Sequence, residues 1–393
     1  MRPLRLGYLC ADPGIPPDGT KGASVHFREF GRALVRNGVE LQAVTRRGPG
    51  GPWGEFPLRV AQIGERAADS LVRELDDLTD QQPVVEALDA SGPIDAIYER
   101  YTLFGLAGLR HARSRGVPHF LEVNAPLWEE ARTYRSLSLS GTAHAIAREL
   151  FRRASRVLVV SEGLRDRVIA EGADPDRVVV FPNGVAPSFL NDGAPAPRPE
   201  VLQGRPVLTF VGSLKPWHGI EMLLDAFVAM PERLGLGLWV IGDGPEAARV
   251  DRLAARHPDR VVRTPAVAHE DVPAVLRASD ITVAPYTAAS PSYFCPLKVI
   301  EAFAVGVPLL ASAVPAVERL DLEGIHLDTF QPGSLSSFRA ALEAVLADLP
   351  AAQGRAHANR EVARRRYTWD QRALELKAML KQSVRAPRRA GAA

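Results

Sequence analysis

The chain is 393 residues long, too long for one ordinary core and suited to two domains of roughly 180 residues each. Hydrophobic residues at 46% and charged residues at 24% exclude a disordered chain, and 48 basic against 46 acidic side chains leave a net charge of +2 that argues for neither nucleic acid nor an anionic membrane. Two cysteines, Cys10 and Cys295, are too few for a disulfide framework or a four-ligand zinc site, no run reaches the ~20 apolar residues of a membrane span, and the N-terminal apolar run is too short for a signal peptide, so the expected location is a reducing cytoplasm.

A first buried strand ends near Cys10, a Gly/Pro loop runs from Ala11 to Gly22, and a helix is predicted from Ser24 to Asn37, closed by Gly38. Strands follow at Leu41 to Thr45, Ala96 to Glu99, Val117 to Val123 and Val157 to Val160, the alternation of a parallel sheet flanked by helices. Polar residues stand at their C-terminal ends, the edge at which open parallel sheets hold ligands. A Pro/Gly/Ala-rich stretch, 191–200, reads as a linker after a first domain of residues 1–190. The alternation restarts with strands at Val207 to Val211, Gly237 to Ile241, Val261 to Arg263, Ile281 to Ala284 and Pro308 to Ala311, and helices at Ile220 to Met230, Glu246 to Arg256 and Leu297 to Val305. This makes a second domain of residues 201–366, then a helix in 367–384 placed to pack back on the first domain, and a basic tail, 385–393, expected to be disordered.

Gly242-Asp243-Gly244-Pro245-Glu246-Ala247 follows a strand and opens a helix, which formally matches a dinucleotide fingerprint. That reading needs an acidic residue at the end of the next strand, where Val261, Val262 and Arg263 stand instead, so a wall of a nucleotide-sugar site or a tight turn without ligand is the better expectation. In Cys295-Pro296-Leu297-Lys298-Val299-Ile300-Glu301 the proline suits a first helical turn, whose free amides receive phosphate. Lys298 is misplaced there for helix stability and well placed for an anion, with Glu301 three residues on along the same face. A surface Lys-Glu pair is the bland alternative.

Together with Gly212-Ser213-Leu214, Trp217-His218-Gly219, Gly306-x-Pro308, Pro182-Asn183-Gly184-Val185 and Lys21-Gly22-Ala23-Ser24-Val25-His26, these blocks resemble glycosyltransferase family 4, in order and over nearly the whole chain. The resemblance implies an α/β GT-B fold, two Rossmann-like domains facing each other across a cleft. It also implies metal-independent transfer from a nucleotide sugar, a UDP-sugar being favoured, with retention of anomeric configuration. By the same resemblance Glu301 is the second Glu of an E-x7-E motif and holds the ribose hydroxyls, while Gly22 lies on the loop approaching the donor phosphates. The first Glu falls on Tyr293, Ser213 and His218 stand where many members carry Arg and Lys, and Asn124 takes the place of the likely catalytic His. The expected donor set is therefore Gly22, Lys215, His218, Gly242, Tyr293, Leu297, Lys298 and Glu301, with Lys298 and Asn124 assigned to the reaction itself.

No metal and no cofactor beyond the nucleotide-sugar co-substrate are expected. Nine histidines show no metal-ligand spacing, and Asp174-Pro175-Asp176 reads as a turn. Glu99, Arg100, Tyr101, Glu122 and Asn124 are the expected acceptor residues, suited to a small hydroxylated or amine-bearing acceptor such as an aminocyclitol. A cell-envelope transferase with a lipid or polysaccharide acceptor and peripheral membrane contact is one alternative. A GT-B partner that binds nucleotide sugar without turnover is another.

Overall fold

The computed structural model describes residues 2–64, 67–134, 137–320 and 324–385. It divides into two compact units, one running to Asn183 and resuming at Trp369, the other spanning Gly184–Thr368. Residues 386–393, most of the expected basic tail, lie outside the described residues. No helix among the described residues is long and apolar enough to cross a membrane.

The first unit is a parallel sheet of β1 (Leu4–Cys10), β2 (Val39–Thr45), β3 (Leu58–Val60), β4 (Ala96–Arg100), β5 (His119–Val123), β6 (Arg156–Val159) and β7 (Val178–Val180). Their order is β3-β2-β1-β4-β5-β6-β7. Alternation along β1 explains why both faces are buried: Leu6, Tyr8 and Cys10 meet Phe27 and Phe30 of helix α1 (Gly22–Arg36), whereas Leu9 joins Val84, Leu88 and Ile97 on the other side. The C-terminal helix, Trp369–Arg385, belongs to this unit. Trp369, Ala373, Leu376 and Leu380, spaced four, three and four apart, form its buried stripe. Asp370 accepts hydrogen bonds from Arg36 and from Asn37 at the end of α1.

The second unit holds β8 (Val207–Val211), β9 (Gly237–Ile241), β10 (Val261–Thr264), β11 (Ile281–Ala284), β12 (Leu309–Ser312) and β13 (Asp328–Phe330), parallel and ordered β10-β9-β8-β11-β12-β13. Helix α2 (Leu297–Val305) ends at Gly306, whose φ of +80 places it in the left-handed region a helix stop favours. The proline-rich stretch 191–200 is fastened to this unit: the Ala196 N–H donates to the Ala274 carbonyl, and Arg198 pairs with Asp280 at 2.9 Å. Three-residue strands β3, β7 and β13 go beyond the strands expected from periodicity.

Candidate functional site

In the second unit the C-terminal ends of β8, β9 and β11 share one edge, and glycine lets their loops close on each other. Gly212 donates to Ile241, Leu214 to Asp243 and Glu246 to Leu214, backbone to backbone. A Cβ on Gly242, where φ is +147, would collide with the Gly212 carbonyl, and one on Gly244 would sit 2.6 Å from the Leu214 carbonyl oxygen. A Cβ on Gly212 would lie 3.0 Å from Lys298 Nζ, so the glycine makes room for that ammonium. Gly242 is thus a close-approach glycine of the edge. Arg263 at the end of β10 pairs with Asp243 and Asp251, which leaves a cation where a dinucleotide site needs a carboxylate.

Lys298 sits in the first turn of α2 with Nζ 5.2 Å from the Phe210 ring centre and 5.6 Å from that of Tyr286. Its ammonium has no hydrogen-bonding or ion-pairing partner among the described residues. Burial pushes its pKa down to about 8, with Glu301 opposing and Lys215 adding to the shift. The aromatic faces offset part of the cost of desolvating the charge, and an incoming anion would offset the rest. The Val299 and Ile300 amides return to Pro296, and the Leu297 N–H is taken by the Cys295 carbonyl at 2.9 Å, so these three amides of the first turn, expected to receive phosphate, are occupied within the chain.

Glu301, one turn further along α2, lines a small cavity with Lys298. His269, in the loop after β10, lies with Nε2 3.0 Å from Glu301 Oε1 and its ring tilted at 45° to that of Phe189, 5.1 Å between centres. Since the carboxylate only accepts, that nitrogen carries the hydrogen. His269 orients the carboxylate; the residue was missed from sequence because 32 positions separate the pair, and its one signal is that a half-buried Glu needs a donor. His218 and Lys215 follow β8, the lysine over the Trp217 ring at 4.9 Å. The His218 ring centre stands 6.2 Å from that of Tyr286. Tyr293 is half-buried in the segment leading to α2.

In the first unit Gly22 opens α1, where an added Cβ would meet no atom within 4 Å, and Lys21 gives the helix no side-chain cap. The Ser24 hydroxyl is buried there without a partner among the described residues. The expected acceptor residues divide. Glu99 is 1% exposed, bonded to His119 Nε2 at 2.6 Å and pressed against Gly108, and Tyr101 is packed among Trp128 and Phe151, so both are core groups. Glu122 is buried beside His26 at 2.9 Å and Arg100 at 3.5 Å. Burial would raise its pKa, but the neighbouring His26 and Arg100, with hydrogen bonds from His26 and Tyr98, outweigh it and hold the carboxyl well below the usual range. Glu122 therefore fixes His26 and Arg100 at the sheet edge instead of meeting a ligand itself. Asn124, just past β5, keeps a buried Nδ2 with no partner among the described residues. Cys10 is buried and its thiol is pushed up to about 12 by burial, an unreactive group.

Residues 205–348 match the family model of glycosyl transferases group 1, and residues 21–184 match that of the glycosyl transferase 4-like domain. Two parallel α/β units carrying these domains in this order define a glycosyltransferase of the GT-B class. The chain belongs to glycosyltransferase family 4. It is 28% identical to the D-inositol 3-phosphate glycosyltransferase of Xylanimonas cellulosilytica, over 92% of this chain and 91% of that one. It is 29% identical to the 2-deoxystreptamine N-acetyl-D-glucosaminyltransferase of Streptomyces fradiae, over 68% and 70%. Among solved structures, Anabaena HepE in complex with UDP and glucose superposes with a TM-score of 0.70 at 17% identity, covering 96% of this chain and 100% of that one, a likeness of fold.

Proposed function

We propose that the protein transfers a sugar, with retention and without a metal, from a UDP-sugar held by the second unit to a small polyhydroxylated acceptor, a cyclitol or aminocyclitol, received by the first. The observation that carries this reading is the Lys298 ammonium, without a partner among the described residues at the start of α2 and with Glu301 one turn away. An unpaired, partly buried cation among glycine loops is a site for the diphosphate, and a carboxylate oriented by His269 suits ribose hydroxyls. Lys298 then stabilises charge on the departing diphosphate, the task a metal performs elsewhere. Asp174 supports the metal-free reading, since its side chain is engaged in capping the turn Pro175–Arg177. The two relatives named for D-inositol 3-phosphate and 2-deoxystreptamine favour a ring-shaped polyol, and the UDP-bound fold neighbour favours uridine.

The test is a matrix of nucleotide sugars against inositols, inositol phosphates and 2-deoxystreptamine, read by mass shift of the acceptor in excess EDTA. Transfer from a UDP-sugar to a cyclitol, undiminished by chelator, is the expected result. Activity restored only by manganese or magnesium contradicts the metal-free part, and transfer confined to a lipid or polysaccharide contradicts the acceptor.

A further inference from the structure

Lys215, Pro216, Trp217 and His218 form the tight turn after β8, and its last residue is held in one particular way. His218 Nδ1 lies 2.6 Å from the Ser213 carbonyl oxygen and 3.3 Å from the Ser213 hydroxyl. A carbonyl only accepts, so Nδ1 carries the hydrogen and the hydroxyl is secondary. In a neutral ring Nε2 then bears a lone pair. Burial, with the neighbouring ammonium groups of Lys298 and Lys215, opposes a second proton and pushes the pKa down to about 4, against a smaller upward pull from the Ser213 carbonyl. Nε2 makes no hydrogen bond within the described residues. His218 and Lys298 flank the same Tyr286 ring, 6.2 Å from ring centre to ring centre and 5.6 Å from ammonium to ring centre.

We infer that His218 is a neutral hydrogen-bond acceptor that recognises a hydroxyl of the donor's sugar rather than its phosphates, and so helps to set which sugar is transferred. The inference rests on the donor reading above. A diphosphate at neutral pH offers lone pairs almost alone, and a lone pair on Nε2 repels it; Lys298 and Lys215 supply the cations. The moiety attached to that diphosphate is the sugar, whose hydroxyls can donate. A His at this position therefore accepts where Arg or Lys cannot, since neither has an acceptor.

Two measurements test it. In protein labelled with 15N-histidine, long-range proton–nitrogen correlations, assigned by the signal lost in His218→Gln, read the ring directly. The expected pattern is hydrogen on Nδ1 and a bare Nε2 at neutral pH, persisting under mildly acidic conditions that protonate exposed histidines; hydrogen on Nε2 at neutral pH overturns the inference. Calorimetric titration with UDP, UDP-glucose and UDP-N-acetylglucosamine then compares wild type with His218→Phe and His218→Gln. Phe should leave UDP affinity unchanged and weaken the better sugar nucleotide by roughly 2- to 12-fold, the worth of one neutral hydrogen bond. Gln, which restores an acceptor, should recover most of that loss. Equal loss for UDP and sugar nucleotide, or no loss for either, overturns the sugar contact and leaves the donor reading standing. A folded wild type that binds none of the three overturns both.

Discussion

Lys298 combines two opposed effects, and each can be measured. As the diphosphate cation its removal in Lys298→Ala should lower kcat and kcat/KM together by about 10²- to 10³-fold, the usual cost of losing one preorganised charge-stabilising contact. As an unpaired, partly buried ammonium it disfavours folding: its pKa is depressed to about 8, so the cost is present in full below that pH and fades as pH rises towards the ordinary lysine value of ~10.4. Lys298→Met should accordingly raise the melting temperature at neutral pH while lowering transfer as Lys298→Ala does, and a lower melting temperature would contradict this. Nucleotide affinity should fall as pH rises through about 8 in wild type and stay level in Lys298→Arg, whose charge persists. Lys298 and Glu301 were legible in the sequence because one helical turn joins them. His269 was not, because a loop closure brings it to Glu301. Glu99 was misread for a different reason: its place near a strand end is visible in sequence, but which face its side chain takes depends on register, and here it points at Gly108.

Among the glycines, two with different surroundings separate architecture from ligand contact. Gly242→Ala places a Cβ against the Gly212 carbonyl at a φ of +147, so the β8 and β9 loops must separate, and a loss of roughly 1–3 kcal/mol in unfolding free energy is expected along with weaker nucleotide binding. Gly22→Ala meets nothing within 4 Å and stands at the first position of α1, so denaturant unfolding should show wild-type stability or slightly more, and any change in donor KM reports ligand contact alone. Central strands such as β8, β9 and β11 were legible to the residue because they are short, mainly apolar and β-branched runs, broken by no more than one threonine each and buried along nearly their whole length. Strands β3, β7 and β13 are three residues long and only partly buried, too short to show a period. Stretch 191–200 has a linker's composition, yet backbone and side-chain hydrogen bonds bind it to the second unit, an attachment that composition does not encode.

At the scale of the molecule, the chain completes its first unit with its last helix. Trp369, Leu376 and Leu380 are buried there, at about 1.5–3 kcal/mol each for a fully buried side chain, against a typical net stability of about 5–15 kcal/mol. A chain ending at Thr368 should lose cooperative unfolding of the first unit, seen as a missing or much lower calorimetric transition, and an unchanged first-unit transition would show that the helix is dispensable. The overall plan was legible because two rounds of strand-helix alternation and the ordered sequence blocks agree; what lay beyond reach was how polar atoms at each sheet edge are already paired. The proposed donor site places a nucleoside diphosphate on Lys298 and Glu301 of the second unit. Calorimetric titration of UDP into wild type, Lys298→Ala and Glu301→Gln tests it most directly: both variants should remain folded and lose affinity, Glu301→Gln by roughly 10- to 150-fold for a charge-assisted hydrogen bond. Folded variants that bind UDP as tightly as wild type would place the donor elsewhere.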